Sequence, residues 1–262
     1  MYVSFYKYQG TGNDFIMIDN RQNLFPKNGN KLISSLCHRK FGIGADGLIL
    51  LESSDNYDFT MKYYNADGNE GSMCGNGGRC IVAFAKLLKI INTHTVFDAI
   101  DGVHKANIVG DLVSLKMNDV VTIKEFSGEL FLDTGSPHHI SYVNNISEVD
   151  VKNTGKKIRY GSPYFDEGTN VNFVEQKNEN TFSVRTYERG VENETLSCGT
   201  GVTAVAIASH KTKKTNQNSI ILETLGGTLE VSFVCDNNSY KNVFLKGKAT
   251  LVFNGKIEVE TN

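Results

Sequence analysis

The chain is poor in the features that most quickly assign a protein to a class. It has no tryptophan and only three prolines among its 262 residues. No apolar run approaches the ~20 residues that a membrane-spanning helix requires, which excludes a helical membrane protein. Charge of one sign is not in excess either: 27 Lys and Arg stand against 29 Asp and Glu, a net charge of −2. With no basic run interleaved with aromatics, neither nucleic acid nor a membrane is an expected partner. The opening "MYVSFYKYQG" lacks the charged-then-apolar order of a signal peptide, so the expected location is the cytoplasm. The five cysteines (37, 74, 80, 198 and 235) are an odd number and contain no CxxC pair, which argues against a disulfide framework, a structural zinc site and a thioredoxin-type motif. His138 and His139 are adjacent, and neighbours on an extended chain point opposite ways, so the two do not suit one metal ion. No metal site is expected. There is no GxxxxGK[ST] phosphate loop and no GxSxG elbow.

One literal motif misleads. Gly42-Ile43-Gly44-Ala45-Asp46-Gly47 reads GxGxxG. A dinucleotide fingerprint has a strand before it and a helix after it. Here the helix-like "NKLISSLCHRKF" precedes and the strand-like "LILLE" follows, so these are turn glycines.

What is there is a repeat. "YNADGNEGSMCGNGGRC" and "YERGVENETLSCGTG" lie about half a chain apart, each with a cysteine followed by Gly-x-Gly. An alternating run leads into each, "DFTMKYY" and "TFSVRTY", and a helix-like run follows each, "GGRCIVAFAKLLK" and "GVTAVAIASHKTKK". Both helical runs are apolar around most of their circumference, which marks buried central helices rather than surface ones. Short alternating runs surround them, among them Phe15 to Ile18, Leu48 to Leu51, Val171 to Val174 and Leu229 to Phe233. The pattern predicts an α/β (α+β) fold of two pseudo-symmetric halves, each a curved, mostly antiparallel sheet or barrel around its own central helix, with the active site in the cleft between them. The expected boundaries are 1–119 for the half with Cys74 and 120–250 for the half with Cys198. A C-terminal strand, 251–262, is expected to complete the first half.

A cysteine at a helix N-terminus feels the positive end of the helix dipole, which favours the thiolate. Glycines around it let the first-turn N–H groups approach a carboxylate closely. Cys37, Cys80 and Cys235 lack that setting and read as small buried hydrophobes. Two thiols facing each other leave two chemistries open. One is a redox dithiol. The other is acid–base: a thiolate takes a proton from one face of a carbon while a thiol supplies one to the other, inverting a stereocentre. An amino acid Cα–H is a very weak acid, and two helix N-termini suit the negative charge that spreads onto its carboxylate. No cofactor is expected.

Several segments carry a resemblance: "KYQGTGNDFIMIDN", "GIGADGLILL", "YNADGNEGSMCGNGGRC", "GSPHHI", "GTNVNFV" and "YERGVENETLSCGTG". Nearly end to end, the chain resembles the diaminopimelate epimerases, cofactor-independent enzymes that interconvert LL- and meso-diaminopimelate in bacterial lysine and peptidoglycan synthesis. The resemblance implies that Cys74 and Cys198 are the base and acid, with His138 and Glu188 beside them setting protonation. It assigns Gly75, Asn76, Gly199 and Thr200 to the reacting carboxylate. Asn13, Asn65, Asn170 and Arg189 would grip the distal end, and the planar fork of Arg189 suits a second carboxylate. It also implies a homodimer. Two positions depart from the common family pattern: Ser136 stands where many members have asparagine, and Gly47 where some have glutamine. Both bear on the distal pocket. A racemase of another amino acid on the same scaffold is the nearest rival reading.

Overall fold

Alternation of buried and exposed residues from Tyr2 to Lys7, with Val3, Phe5 and Lys7 inward and Tyr2 and Ser4 outward, sets the first strand and gives its sheet one wet face. In the computed structural model, which describes residues 1–26, 29–126 and 128–259, the chain forms two compact units. One runs from Met1 to Leu115 and resumes at Lys248; the other is Lys116–Gly247. These divisions fall a few residues from the expected boundaries at 119/120 and 250/251.

The first unit contains β1 (Tyr2–Gly10), β2 (Asn13–Asp19), α1 (Asn30–Cys37), β3 (Gly47–Glu52), β4 (Thr60–Asn65), β5 (Glu70–Gly71), α2 (Gly75–Leu87), β6 (His94–Ala99), β7 (Gly102–Val109) and β8 (Leu112–Lys116). The second holds β9 (Ile123–Phe126), β10 (Glu129–Asp133), β11 (Pro137–Tyr142), α3 (Val151–Tyr160), β12 (Asn170–Gln176), β13 (Thr181–Glu188), β14 (Asn193–Thr195), α4 (Gly199–Lys211), β15 (Ser219–Thr224), β16 (Gly227–Asp236) and β17 (Ser239–Lys248). The chain then returns to the first unit as β18 (Thr250–Glu258), antiparallel to β1 from Tyr2↔Glu258 to Gln9↔Thr250. The tail of the expected 251–262 strand, residues 260–262, lies outside the described residues.

The pairings repeat from one unit to the other. In the first, β18, β1 and β2 are successively antiparallel, β2 joins β3 in parallel, and β3 and β4 are antiparallel. β4 then carries the short β5 and meets β6 in parallel before the antiparallel β6–β7–β8 meander. In the second, β9, β10 and β11 are antiparallel, β11 joins β12 in parallel, and β12 and β13 are antiparallel. β13 carries β14 and meets β15 in parallel, followed by antiparallel β15–β16–β17. The second unit is therefore the first written again, with β9 taking the place that β18 fills from the far end of the chain.

Each sheet bends around its helix. α2 packs on β1, β2, β3 and also on β7, far along the same sheet; α4 packs on β10, β11, β12, β13, β15 and β16. The apolar runs supply the cores: Cys80, Ile81, Val82, Phe84 and Ala85 in α2, and Val202 with Ala204 to Ala208 in α4, are all fully buried. Burying a side chain of Val, Ile or Phe size contributes about 1.5–3 kcal/mol, so these helices are the hydrophobic centre of each unit. The expected strand runs are present, and the helix expected over residues 30–41 forms as α1 but ends at Cys37. β1, β5, β6, β7, β9, β11, β14 and α3 are additional. β7 leaves most of its side chains outside, and α3 buries only Val151 and Gly155, so neither shows a strong hydrophobic period. No helix among the described residues is long and apolar enough to cross a membrane.

Candidate active site

Both thiols sit at one structural position, the N-cap of a central helix. Cys74 caps α2 with extended backbone (φ −105°, ψ 153°), and its Sγ accepts a hydrogen bond from Gly77 N at 3.2 Å. Cys198 caps α4 with extended backbone as well (φ −117°, ψ 115°) and is buried. A glycine stands three residues into each helix: a Cβ at Gly77 would press on Cys74 Sγ at 3.3 Å, and one at Gly201 would clash with Asn172 Oδ1 at 2.5 Å. The first N–H groups of a helix have no intrahelical acceptor, so each cap presents donors to an anion.

In the first unit, Gly75 and Asn76 open α2 and are buried. Asn76 Nδ2 donates to Asn13 Oδ1 at 3.3 Å, and Asn13 Nδ2 donates to Asp46 Oδ2 at 2.7 Å. Asp46 is held in turn by Arg39, which also grips Asp14, itself paired with Lys7 at 2.6 Å. Burial alone would raise the Asp14 carboxyl, but the Arg39 and Lys7 cations outweigh it and hold Asp14 well below the usual range. Asn65 ends β4, where its Oδ1 accepts from the Tyr63 hydroxyl at 2.9 Å. Tyr63 also accounts for Gly47: a Cβ there would meet the Tyr63 ring and the Tyr64 carbonyl oxygen, each at 2.6 Å. A side chain at this position has no room.

In the second unit, Gly199 and Thr200 open α4. Thr200 Oγ1 lies 2.9 Å from His138 Nε2 and 3.4 Å from Cys198 Sγ, while the Thr200 carbonyl accepts from Thr134 Oγ1 at 2.8 Å. His138 is fully buried, which pushes its imidazole down to about 3, with a smaller contribution in the same direction from the Arg189 charge. The ring is neutral. Asn170 accepts from Arg189 N at 2.8 Å and donates to Ser136 Oγ at 2.9 Å and the Pro137 carbonyl at 3.0 Å. One amide thus clamps the ends of β11 and β13 together, and Ser136 is part of the clamp. Arg189 Nη1 donates to the Glu167 carbonyl at 2.8 Å. Glu188 is the half-buried last residue of β13. Cys37 and Cys80 are inert by contrast, their thiols pushed up to about 12 chiefly by burial. Cys235 lies in β16.

Three groups in these shells carry little signal in the sequence. Arg79 is wholly buried in α2, and among the described residues it forms no ion pair. It donates to the Gly75 carbonyl at 3.0 Å and to Thr11 Oγ1 and Asn76 Oδ1 at 3.1 Å, and burial lowers its guanidinium. An arginine interrupting the apolar run after Cys74 is the only hint. Thr203, its counterpart in α4, donates to the Gly199 carbonyl at 2.8 Å. Asn172, fully buried in β12, contacts His138.

The fold places the chain in a structural class. It is similar to a phenazine biosynthesis protein of the PhzF family from Bacillus anthracis (TM-score 0.79, 13% identity, 99% of this chain and 100% of that one). It is also similar to a hydroxyproline epimerase from Agrobacterium vitis solved with trans-4-hydroxy-L-proline (TM-score 0.69, 13% identity, 98% and 92%). The sequence narrows this further. Residues 5–123 and 130–252 match the diaminopimelate epimerase family, and the chain belongs to it. It is 58% identical over 252 residues to a diaminopimelate epimerase from Flavobacterium psychrophilum, covering 96% of this chain and 98% of that protein. One from Chlorobaculum tepidum is 44% identical over 259 residues, with 95% and 98% covered.

Proposed function

We propose that this protein interconverts LL- and meso-2,6-diaminopimelate, with Cys74 and Cys198 as the two proton carriers. The chain is an amino acid epimerase, an isomerase that works without pyridoxal phosphate. The observation that supports the two-thiol scheme is that Cys74 and Cys198 are both N-caps, on equivalent helices in units of repeated topology. In the forward direction the thiolate of one cysteine takes the Cα proton and becomes a thiol. The electron pair spreads onto the α-carboxylate, and the thiol of the other cysteine delivers its proton to the opposite face of the carbon, becoming a thiolate. The reverse reaction exchanges their roles. The first-turn amides of α2 and α4, at Gly75, Asn76, Gly199 and Thr200, stabilise the charge on that carboxylate.

His138 and Glu188 support the thiols. Asn13, Asn65, Asn170 and Arg189 hold the distal amino and carboxylate groups, with the Arg189 fork on the second carboxylate. Asn170 supports this assignment by fixing the Arg189 backbone. The same reading gives a cytoplasmic homodimer, for which size-exclusion chromatography with light scattering is the check.

The test is isotope exchange. In D2O, with reduced protein, LL-diaminopimelate and no pyridoxal phosphate, deuterium should enter one α position as the meso isomer appears. Absence of both exchange and isomer formation in folded protein would refute the reading. A racemase of another amino acid would instead exchange a monocarboxylic amino acid faster.

A further inference from the structure

We infer that Asn172 is a positioning residue for Cys198: it locks His138 in the Nε2–H tautomer, so that a one-way chain of donors, from His138 Nε2–H to Thr200 Oγ1–H to Cys198 Sγ, ends on the sulfur. The inference rests on the reading of Cys198 as a proton carrier, but its geometry stands within the second unit alone.

The orientation of the Asn172 amide is settled by the His139 carbonyl, a partner of one polarity. Its Nδ2 lies 3.1 Å from the His139 carbonyl, which can only accept. Its Oδ1 accepts from Thr186 Oγ1 at 3.0 Å. The second hydrogen of Nδ2 therefore points at His138 Nδ1, 3.1 Å away, and Nδ1 must be an acceptor. A neutral imidazole with Nδ1 unprotonated carries its proton on Nε2. That proton goes to Thr200 Oγ1 at 2.9 Å, leaving the threonine hydroxyl hydrogen to point at Cys198 Sγ, 3.4 Å from the oxygen. Every group in the series is committed before the sulfur is reached. The threonine hydroxyl then favours the thiolate over the thiol, since a donor to sulfur is worth more when the sulfur is charged.

The surroundings hold this arrangement still. Asn172 faces Ile140 of β11 in the parallel register and Thr186 of β13 in the antiparallel one, so both anchors of its amide come from neighbouring strands. Gly201 lets the helix approach: a Cβ there would sit 2.5 Å from Asn172 Oδ1 and 3.3 Å from His138 Cε1. Among the described residues, the elements packed here bring Arg189 and Glu188 at the end of β13, Asp133 at the end of β10 and Glu167, whose carbonyl takes Arg189; the first turn of α4 carries no acid, and Asn170 and Asn172 of β12 present amides. Arg189 acts on His138 in the same sense as burial, keeping it neutral. His139 turns away, to Tyr164 and Glu129. Cys74 takes a donor of a different kind, the backbone N–H of Gly77.

Nitrogen-15 NMR of the histidine rings reads the tautomer directly. His138 should appear as a neutral Nε2–H ring from pH 8 down to 5. An Nδ1–H ring, or an imidazolium at neutral pH, would overturn the inference. Asn172→Asp supplies an acceptor where the wild type has a donor, and should convert the ring to Nδ1–H. Thiolate absorbance at 240 nm, in a Cys74→Ala background, follows Cys198. Thr200→Val and Asn172→Leu should each raise its ionisation by about one pH unit or more, the loss expected for a hydrogen bond to a charged group. Thr200→Ser should restore it. An unchanged titration in Thr200→Val would also overturn the inference. Should Asn172 variants fail to fold, the wild-type spectrum and the Thr200 pair still decide. None of these measurements uses turnover, so an inactive protein with the Nε2–H ring would leave the relay standing and sink only the function.

Discussion

At the level of single residues, Cys74 and Cys198 share a backbone position but not an environment. Cys74 takes a donor from the main chain, whereas Cys198 takes one from Thr200, backed by a neutral histidine. Removing either sulfur should cripple epimerisation. Cys74→Ala and Cys198→Ala are each expected to reduce turnover by about 100-fold or more, the range of a positioned acid or base; near-normal turnover in one of them would rule out the two-thiol scheme. Arg189→Ala should weaken diaminopimelate turnover by about 10- to 100-fold, as loss of hydrogen bonds to a charged group implies. Steady-state kinetics checks both. His138 adds a pH dependence to stability. Its ring is pushed from 6.5 in the unfolded chain to about 3 in the fold by burial. Between those values the unfolded state binds more protons, so this contribution is intact above about pH 6.5 and is lost as the pH falls toward 3, at about 1.4 kcal/mol per unit. Urea unfolding between pH 6 and 4 should show a shallower loss in His138→Gln than in the wild type.

At the scale of elements, α2 and α4 use different side chains for one task. Arg79 and Thr203 each satisfy the first carbonyl of their helix, but Arg79 brings a buried charge with it. Replacing a buried cation that has no carboxylate partner among the described residues removes hydrogen bonds and a desolvation cost together. Arg79→Met is therefore expected to change stability by less than about 2 kcal/mol. It should depress turnover more, because Asn76 Oδ1 loses its guanidinium donor. Thermal melts beside kinetics separate the two effects. The repeat "CGNG…CGTG" announced both helices, since an all-round apolar period is hard to mistake. The polar helix α3 and the largely exposed β7 escaped, because their few buried positions leave no period to read.

At the scale of the whole chain, the two units differ in how they are assembled. The second is continuous, Lys116–Gly247, whereas the first needs β18 from beyond it. A chain ending at Gly247 leaves β1 without its antiparallel partner from Tyr2 to Gln9, a loss on the order of 5 kcal/mol at about 1 kcal/mol per hydrogen bond. That rivals the stability of an ordinary domain. Circular dichroism should therefore show a cooperative melt for an isolated 116–247 fragment and none for 1–115 alone; adding a 248–262 segment to the latter should restore it.

The sequence by itself determined the duplication, the two buried helices, the glycine-lined thiols at their starts and the family. Each of these is written in local spacing, which a linear chain displays directly. Only the tertiary structure decided the register in which β18 meets β1, from Tyr2↔Glu258 to Gln9↔Thr250, and that Tyr63 fills the space beside Gly47. It alone also assigned Asn170 to clamping Ser136 to Arg189, and Asn172 to committing the proton of His138. Those are contacts between residues far apart in the chain, and a polar side chain in a strand looks the same in sequence whether it faces water or fixes a tautomer. What distinguishes the two is burial with partners of one polarity, a property of packing alone.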